Sequence, residues 1–179
     1  MTAESTSTAA TLMGRAFDAI AARDLDRLAE FWDEHSTDVF IALGLTVTGE
    51  RDLRLFFGEL FVALPDLQFM TEDVHAVSDE VAVGQWRMSG TFSGGSFQGI
   101  APTGKHLELR GIDVMRFDGQ TLRHNDVYYD GLAFARQIGM LPAADSAGDR
   151  AMMGAFNAAT KARQVVRSRI GRRPQGDVA

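Results

Sequence analysis

The chain has 179 residues, 45% of them hydrophobic and 23% charged, so one domain with a sizeable core and some extension is expected. It has no cysteine, which excludes disulfides, thiolate nucleophiles and zinc–thiolate sites. Residues 1–144 carry 11 basic and 21 acidic side chains, whereas residues 145–179 carry 7 and 3; an acidic body argues against nucleic-acid binding as the main task.

Residues 1–8 are small and polar and read as a disordered start. They lack a basic region followed by an apolar run, so no secretory signal is expected. No stretch approaches the ~18 consecutive apolar residues of a membrane span. A cytoplasmic protein is the default expectation. From Ala9 the pattern turns helical, with Leu12, Ala16, Phe17, Ala19 and Ile20 on one side. Asp24 reads as the N-cap of a second, short helix that places Leu25, Leu28, Phe31 and Trp32 together. A short strand is expected over Asp38 to Leu43. A third helix follows from Glu50 to Leu64, with Leu53, Phe56, Phe57, Leu60 and Phe61 inward, and Pro65 ends it.

After Pro65 the period changes to two. Leu67 to Val77 reads as a strand, Ser78-Asp79-Glu80 as a turn, and Val81 to Phe92 as the partner strand. The run from Ser93 to Lys105 is a loop by composition and reads as a mobile lip. A further hairpin follows, and then a short helix over residues 131–140 closed by Gly139. Three helices followed by long antiparallel strands predict an α+β domain over residues 9–142, with helices covering one face of a curved sheet around an apolar pocket. From Ala143 a linker leads to a basic segment with a thin apolar stripe at Met152, Phe156, Ala159, Ala162, Val166 and Ile170. Two readings of that segment stay open: a helix docked on the body or on a second subunit, or a solvated tail. The last residues, GRRPQGDVA, read as frayed.

The chemistry concentrates in the second hairpin. Asp118-Gly119 lies between two alternating runs, a strong signal for a two-residue turn. That loop would set Phe117 opposite Gln120, Met115 opposite Leu122, Asp113 opposite His124, Gly111 opposite Asp126 and Leu109 opposite Tyr128. The face carrying Leu107, Leu109, Met115, Phe117 and Leu122 is the apolar one, so Asp113, His124 and Asp126 are predicted among buried residues. Opposite a glycine, Asp126 would have room for a ligand and a raised pKa suited to a general base. His124 would stabilise the developing oxyanion and Asp113 would fix its tautomer. The competing reading is a buried Asp113–His124 pair that pins the register, with Asp126 in solvent; a one-residue bulge would also move the whole set.

Tyr128, Trp86, Met88, Met115 and Phe57 are the candidate substrate-binding residues, although core packing explains each of them as well. His35, His75 and His106 have no partner at metal-ligand spacing, and neither a nucleotide fingerprint nor a nucleophile elbow is present. No metal and no cofactor are expected.

Several motifs carry a resemblance: Gly99-x-x-Pro-Thr-Gly-Lys105, Arg116-Phe-Asp-Gly119, a His two residues before Asp126, and Tyr129-Asp130 followed by Gln-Ile-Gly-x-Leu-Pro. Together with the element order they resemble the SnoaL-like polyketide-cyclase branch of the NTF2-like superfamily over residues 9–142. The resemblance implies an NTF2-like (cystatin-like) cone enclosing a cavity, a homodimer, and an intramolecular aldol closure without metal or cofactor. It also implies that Asp126, which matches the aspartate of the last long strand, is the acid/base. Asn125 departs from the Trp common after that His. The functional expectation is a cofactor-independent enzyme acting on a hydrophobic carbonyl compound by aldol closure or enolate isomerisation. The alternatives are a non-catalytic binder of a small lipophilic ligand and an epoxide hydrolase-like activity.

Overall fold

The computed structural model describes residues 8–170, which form two compact units dividing between Met140 and Leu141. Of the expected disordered start, Thr8 opens a helix and the rest lies outside the described residues, as does the expected frayed tail at 171–179. The first unit runs α1 (Thr8–Ala22), α2 (Leu25–Ala29), β1 (Thr37–Phe40), β2 (Leu45–Thr48), α3 (Glu50–Ala63), β3 (Gln68–Ala76), β4 (Val81–Thr91), β5 (His106–Asp118), β6 (Thr121–Tyr129) and α4 (Gly131–Gln137). The second holds α5 (Ala147–Ile170), in which Met152, Met153 and Phe156 are exposed. No helix among the described residues is long and apolar enough to cross a membrane.

The six strands form one curved sheet in the order β2-β1-β6-β5-β4-β3. Every pairing is antiparallel except β1 with β6. The α+β class is therefore as the element order predicted. The expected strand over Asp38 to Leu43 is shorter. It stops at Phe40, a 3-10 turn takes Ile41–Leu43, and Gly44 turns the chain into an unforeseen edge strand, β2.

The helices form where apolar spacing and capping coincide. The α1 stripe buries Leu12, Met13, Ala16, Phe17 and Ile20, and Phe17 meets Phe69 of β3 edge-on at 5.3 Å between ring centres. The Asp24 carboxylate accepts from the Arg27 amide at 3.0 Å, satisfying one of the free N–H groups that start α2. Phe56 and Phe57 of α3 join Phe40 and Trp32 in an aromatic cluster over the β1 end of the sheet.

The β5–β6 hairpin corrects the predicted register. Its tip is Gly119-Gln120, with Asp118 facing Thr121 and Phe117 facing Leu122. Gly119 takes φ 60°, which glycine adopts without strain. Arg123 is then an extra residue, because Arg116 already faces His124. Two contacts hold this bulge: Arg123 pairs with Asp33 and Asp118, and the Leu122 amide donates to the Phe31 carbonyl at 2.8 Å. Beyond the bulge the pairs are Met115 with Asn125, Val114 with Asp126 and Asp113 with Val127. One extra residue reverses the facing of everything after it.

Candidate active site

A cavity of about 100 Å³ lies between the concave sheet face and the helices. Most of its wall is apolar, including Ile20, Leu28, Trp32, Phe57, Met88 and Met115. Its polar side chains come from four adjacent strands: Asp38 of β1, Asn125 and Tyr129 of β6, Asp113 of β5 and the indole of Trp86 on β4. Strand alternation places them together. Asp113 and Met115 share a face of β5, Asn125, Val127 and Tyr129 share a face of β6, and Asp38 is the register partner of Asn125.

Asp113 is buried and held by two donors. Trp86 Nε1–H donates to Oδ1 at 2.7 Å, and the Asn125 amide donates to Oδ2 at 3.0 Å. Burial disfavours its charged form and raises its pKa to about 6, while the bonds from Trp86 and Asn125 pull the other way. Asp38, 2% exposed, is pushed well above the usual carboxylate range by burial and by repulsion from Asp113, with Asn125 opposing in part. Its Oδ1 and the Asn125 Oδ1 are buried without a hydrogen-bond partner. A charged carboxylate with one bare oxygen is costly there, so the neutral acid is the favoured form. Burial likewise pushes the Tyr129 hydroxyl up to about 12, which keeps its proton in place.

The wall therefore offers one carboxylate that ionises near neutral pH, a neutral carboxylic acid and a neutral phenol. Two groups whose environments separate their proton affinities are the ordinary arrangement for acid/base chemistry. Among the described residues no group of three or more His, Cys, Asp or Glu is placed to hold a metal ion.

Of the residues expected from sequence, Asp113, Trp86, Met88, Met115 and Phe57 line this cavity. Three do not. His124 and Asp126 stand on the opposite face of the sheet, because the Arg123 bulge turns them outward. There Asp126 takes a bond from His124 Nε2 at 2.9 Å and an ion pair from Arg116 at 2.9 Å. Burial acts to raise the Asp126 pKa, but these two partners hold it below the usual carboxylate range. Tyr128 is also outward and 45% exposed, and its neighbour Tyr129 takes the inward place. The loop over residues 93–105, expected as a lip, carries Phe97 and Ile100 into the cavity wall. Phe97 packs edge-on to Phe56 at 5.3 Å, and Glu59 of α3 accepts from the Gln98 amide at 3.3 Å.

Sequence reasoning missed Asp38, Asn125 and Tyr129. Asp38 had a weak signal: it is an acid two residues from Phe40 in an otherwise apolar run, DVFIAL. Asn125 and Tyr129 were visible as motif positions but not as inward-facing ones, since their facing depends on the bulge.

Comparison with known proteins matches residues 10–138 to the family model for SnoaL-like polyketide cyclases. Among solved structures, a candidate SnoaL-like polyketide cyclase from Jannaschia sp. CCS1 superposes with TM-score 0.67 at 22% identity, covering 79% of this chain and 99% of its own. A candidate polyketide cyclase from Pseudomonas putida KT2440 gives 0.63 at 15% identity, covering 74% and 98%. AclR, a candidate hydroxylase from Streptomyces galilaeus, gives 0.62 at 19% identity, covering 74% and 85%. At these identities the structures speak for the fold alone. The comparison with curated proteins finds no match.

Proposed function

Because the chain belongs to the SnoaL-like polyketide cyclase family, we propose that it is a cofactor-independent acid/base enzyme that forms an enolate from a small hydrophobic carbonyl compound in the cavity. The observation that carries this reading is the buried pair of carboxylates on one polar wall: Asp113, poised near pH 6, beside Asp38, held neutral. Asp113 as carboxylate takes the proton from the carbon next to the carbonyl. The negative charge moves to the carbonyl oxygen, where the Asp38 acid and the Tyr129 hydroxyl are the groups with a proton to share. The enolate carbon then attacks a second carbonyl of the same molecule, closing a ring, and the alkoxide formed there takes the proton that Asp113 removed. Alternatively, where a double bond is conjugated with the enolate, the far carbon takes the proton back from Asp113, which is isomerisation.

Size narrows the substrate class. An apolar cavity of about 150 Å³ holds one benzene ring, so about 100 Å³ suits a short acyclic carbonyl compound. Phe97 and Ile100 border the space, and anything larger requires the loop that carries them to move. The nearly continuous apolar lining favours a second reading, a binder of a small lipophilic molecule without turnover.

Deuterium exchange separates the two. Acetone and butanone are incubated with the protein in heavy water, and NMR follows exchange next to the carbonyl. The enzyme reading expects exchange above background that Asp113→Asn abolishes while the ketones still bind. Binding of either ketone without exchange in the wild type would sink the enzyme reading and leave the binder.

A further inference from the structure

Gly111 sits in the interior of β5, where glycine weakens a strand because it offers no side chain to pack. Its φ is not among the positive values in this chain, so backbone torsion does not call for glycine there. Space does. Gly111 faces Trp86 across the β4–β5 pairing, and a Cβ on it would stand 2.1 Å from Trp86 Cζ2 and 2.5 Å from Cε2 and Cη2. The indole thus lies directly over the bare backbone of Gly111. Nε1, bonded to Cε2, reaches Asp113 two residues along on the same face of β5, at 2.7 Å. Phe69 and Tyr129 flank the indole, with ring centres 5.6 and 6.4 Å away.

We propose that Gly111 is a positioning residue: its missing side chain seats the Trp86 indole flat on β5, so that the indole N–H is delivered to the Asp113 carboxylate. The device acts on the cavity's ionisable group through a neighbour and touches no ligand itself. Leucine, valine or even alanine at 111 would lift the indole off the strand, and Asp113 would lose one of its two donors. Loss of a hydrogen bond to a charged group favours the neutral form, so Asp113 would then hold its proton to higher pH. The proposal is independent of the reaction proposed above, since it concerns the proton affinity of one side chain.

The test is a direct titration of the Asp113 carboxyl by carbon NMR in four proteins: wild type, Gly111→Ala, Trp86→Phe and the double variant. Trp86→Phe keeps an aromatic ring but removes the N–H, and its smaller ring relieves the crowding over residue 111. The expected result is an upward shift of the Asp113 midpoint by about one unit in each single variant. The double variant should match Trp86→Phe, because alanine at 111 has no indole left to displace. An unchanged midpoint in folded Gly111→Ala would overturn the proposal, and so would a double variant whose shift is the sum of the two. If Gly111→Ala does not fold, an unshifted midpoint in Trp86→Phe overturns it alone. Shifts of the expected size in a protein that exchanges no ketone protons leave this inference standing and count only against the enzyme reading.

Discussion

Asp38 and Asn125 face each other across the single parallel pairing of the sheet, and each leaves its Oδ1 buried without a donor. One proton on Asp38 supplies a donor beside these two bare acceptor oxygens. Replacing Asp38 by Asn keeps the shape and adds a permanent N–H. The folded-state pKa of Asp38 is raised, so wild-type stability falls as pH climbs above the unfolded value and through the folded one. Asp38→Asn escapes that loss. Its melting temperature relative to wild type, measured by calorimetry, should therefore rise as pH climbs above the ordinary carboxylate value and level off only once the raised folded-state pKa is passed. A difference that stays flat with pH would mean that Asp38 is not neutral in the fold.

Asp113 gives the matching prediction for turnover and for stability. If it is the base, kcat/KM should climb as pH rises through about 6 and level off above, because the free carboxylate is the active form. Asp113→Asn should lower kcat/KM by about 10²–10⁴-fold. The same variant should be more stable at pH 8. Raising the folded pKa to about 6 from the ordinary 3.8 means stability that is present at low pH is lost as pH rises through this window, by up to about 3 kcal/mol. The introduced amide keeps an acceptor for Trp86, and a turn of the Asn125 amide offers its oxygen in place of its N–H. Gain of stability with loss of activity is the signature to look for.

Asp126 should behave in the opposite way. It stands on the outer sheet face with His124 and Arg116, so Asp126→Asn should change kcat/KM by less than about twofold. Its folded pKa is lowered, so its contribution is present above the unfolded value and lost as pH falls through the folded one. At neutral pH the substitution should cost at most about 1 kcal/mol, in the range of partly exposed ion pairs, and the cost should shrink as pH falls through the lowered folded-state pKa. Urea titrations at pH 7 and pH 3, beside the activity assay, check both halves. Loss of turnover in Asp126→Asn would return the site to the residue that the family resemblance singled out.

The contrast between Asp113 and Asp126 also marks where the sequence stops being legible. Helices α1 and α3 and strands β3 to β6 announce themselves through apolar period, capping and turn residues, and the apolar side of β5 was readable from Leu107, Leu109, Met115 and Phe117. The facing of β6 was not. It rests on a bulge at Arg123 held by Asp33, a residue 90 positions away, and no local pattern records such a contact. Asp38 was hidden for a related reason. A four-residue strand is too short to declare its faces, and its parallel pairing with β6 exists only in three dimensions.

Gly84 carries the last prediction, on the packing that holds α1 over the cavity. A Cβ there would stand 2.5 Å from Met13 Sδ and 2.5 Å from Phe17 Cε2, so α1 rests on bare strand backbone at this point. Met13 is flexible and can turn aside, but Phe17 is fully buried and edge-on to Phe69. Gly84→Ala forces α1 outward or Phe17 out of its rotamer, and should cost about 1–3 kcal/mol as overpacking does. Phe17→Ala alone should cost about 3–5 kcal/mol by leaving a cavity under the helix. Combining the two should cost less than their sum, because the alanine methyl at 84 enters the space that the ring vacates. Denaturant unfolding of the four proteins measures that coupling, and strict additivity would show that Gly84 and Phe17 do not share this contact.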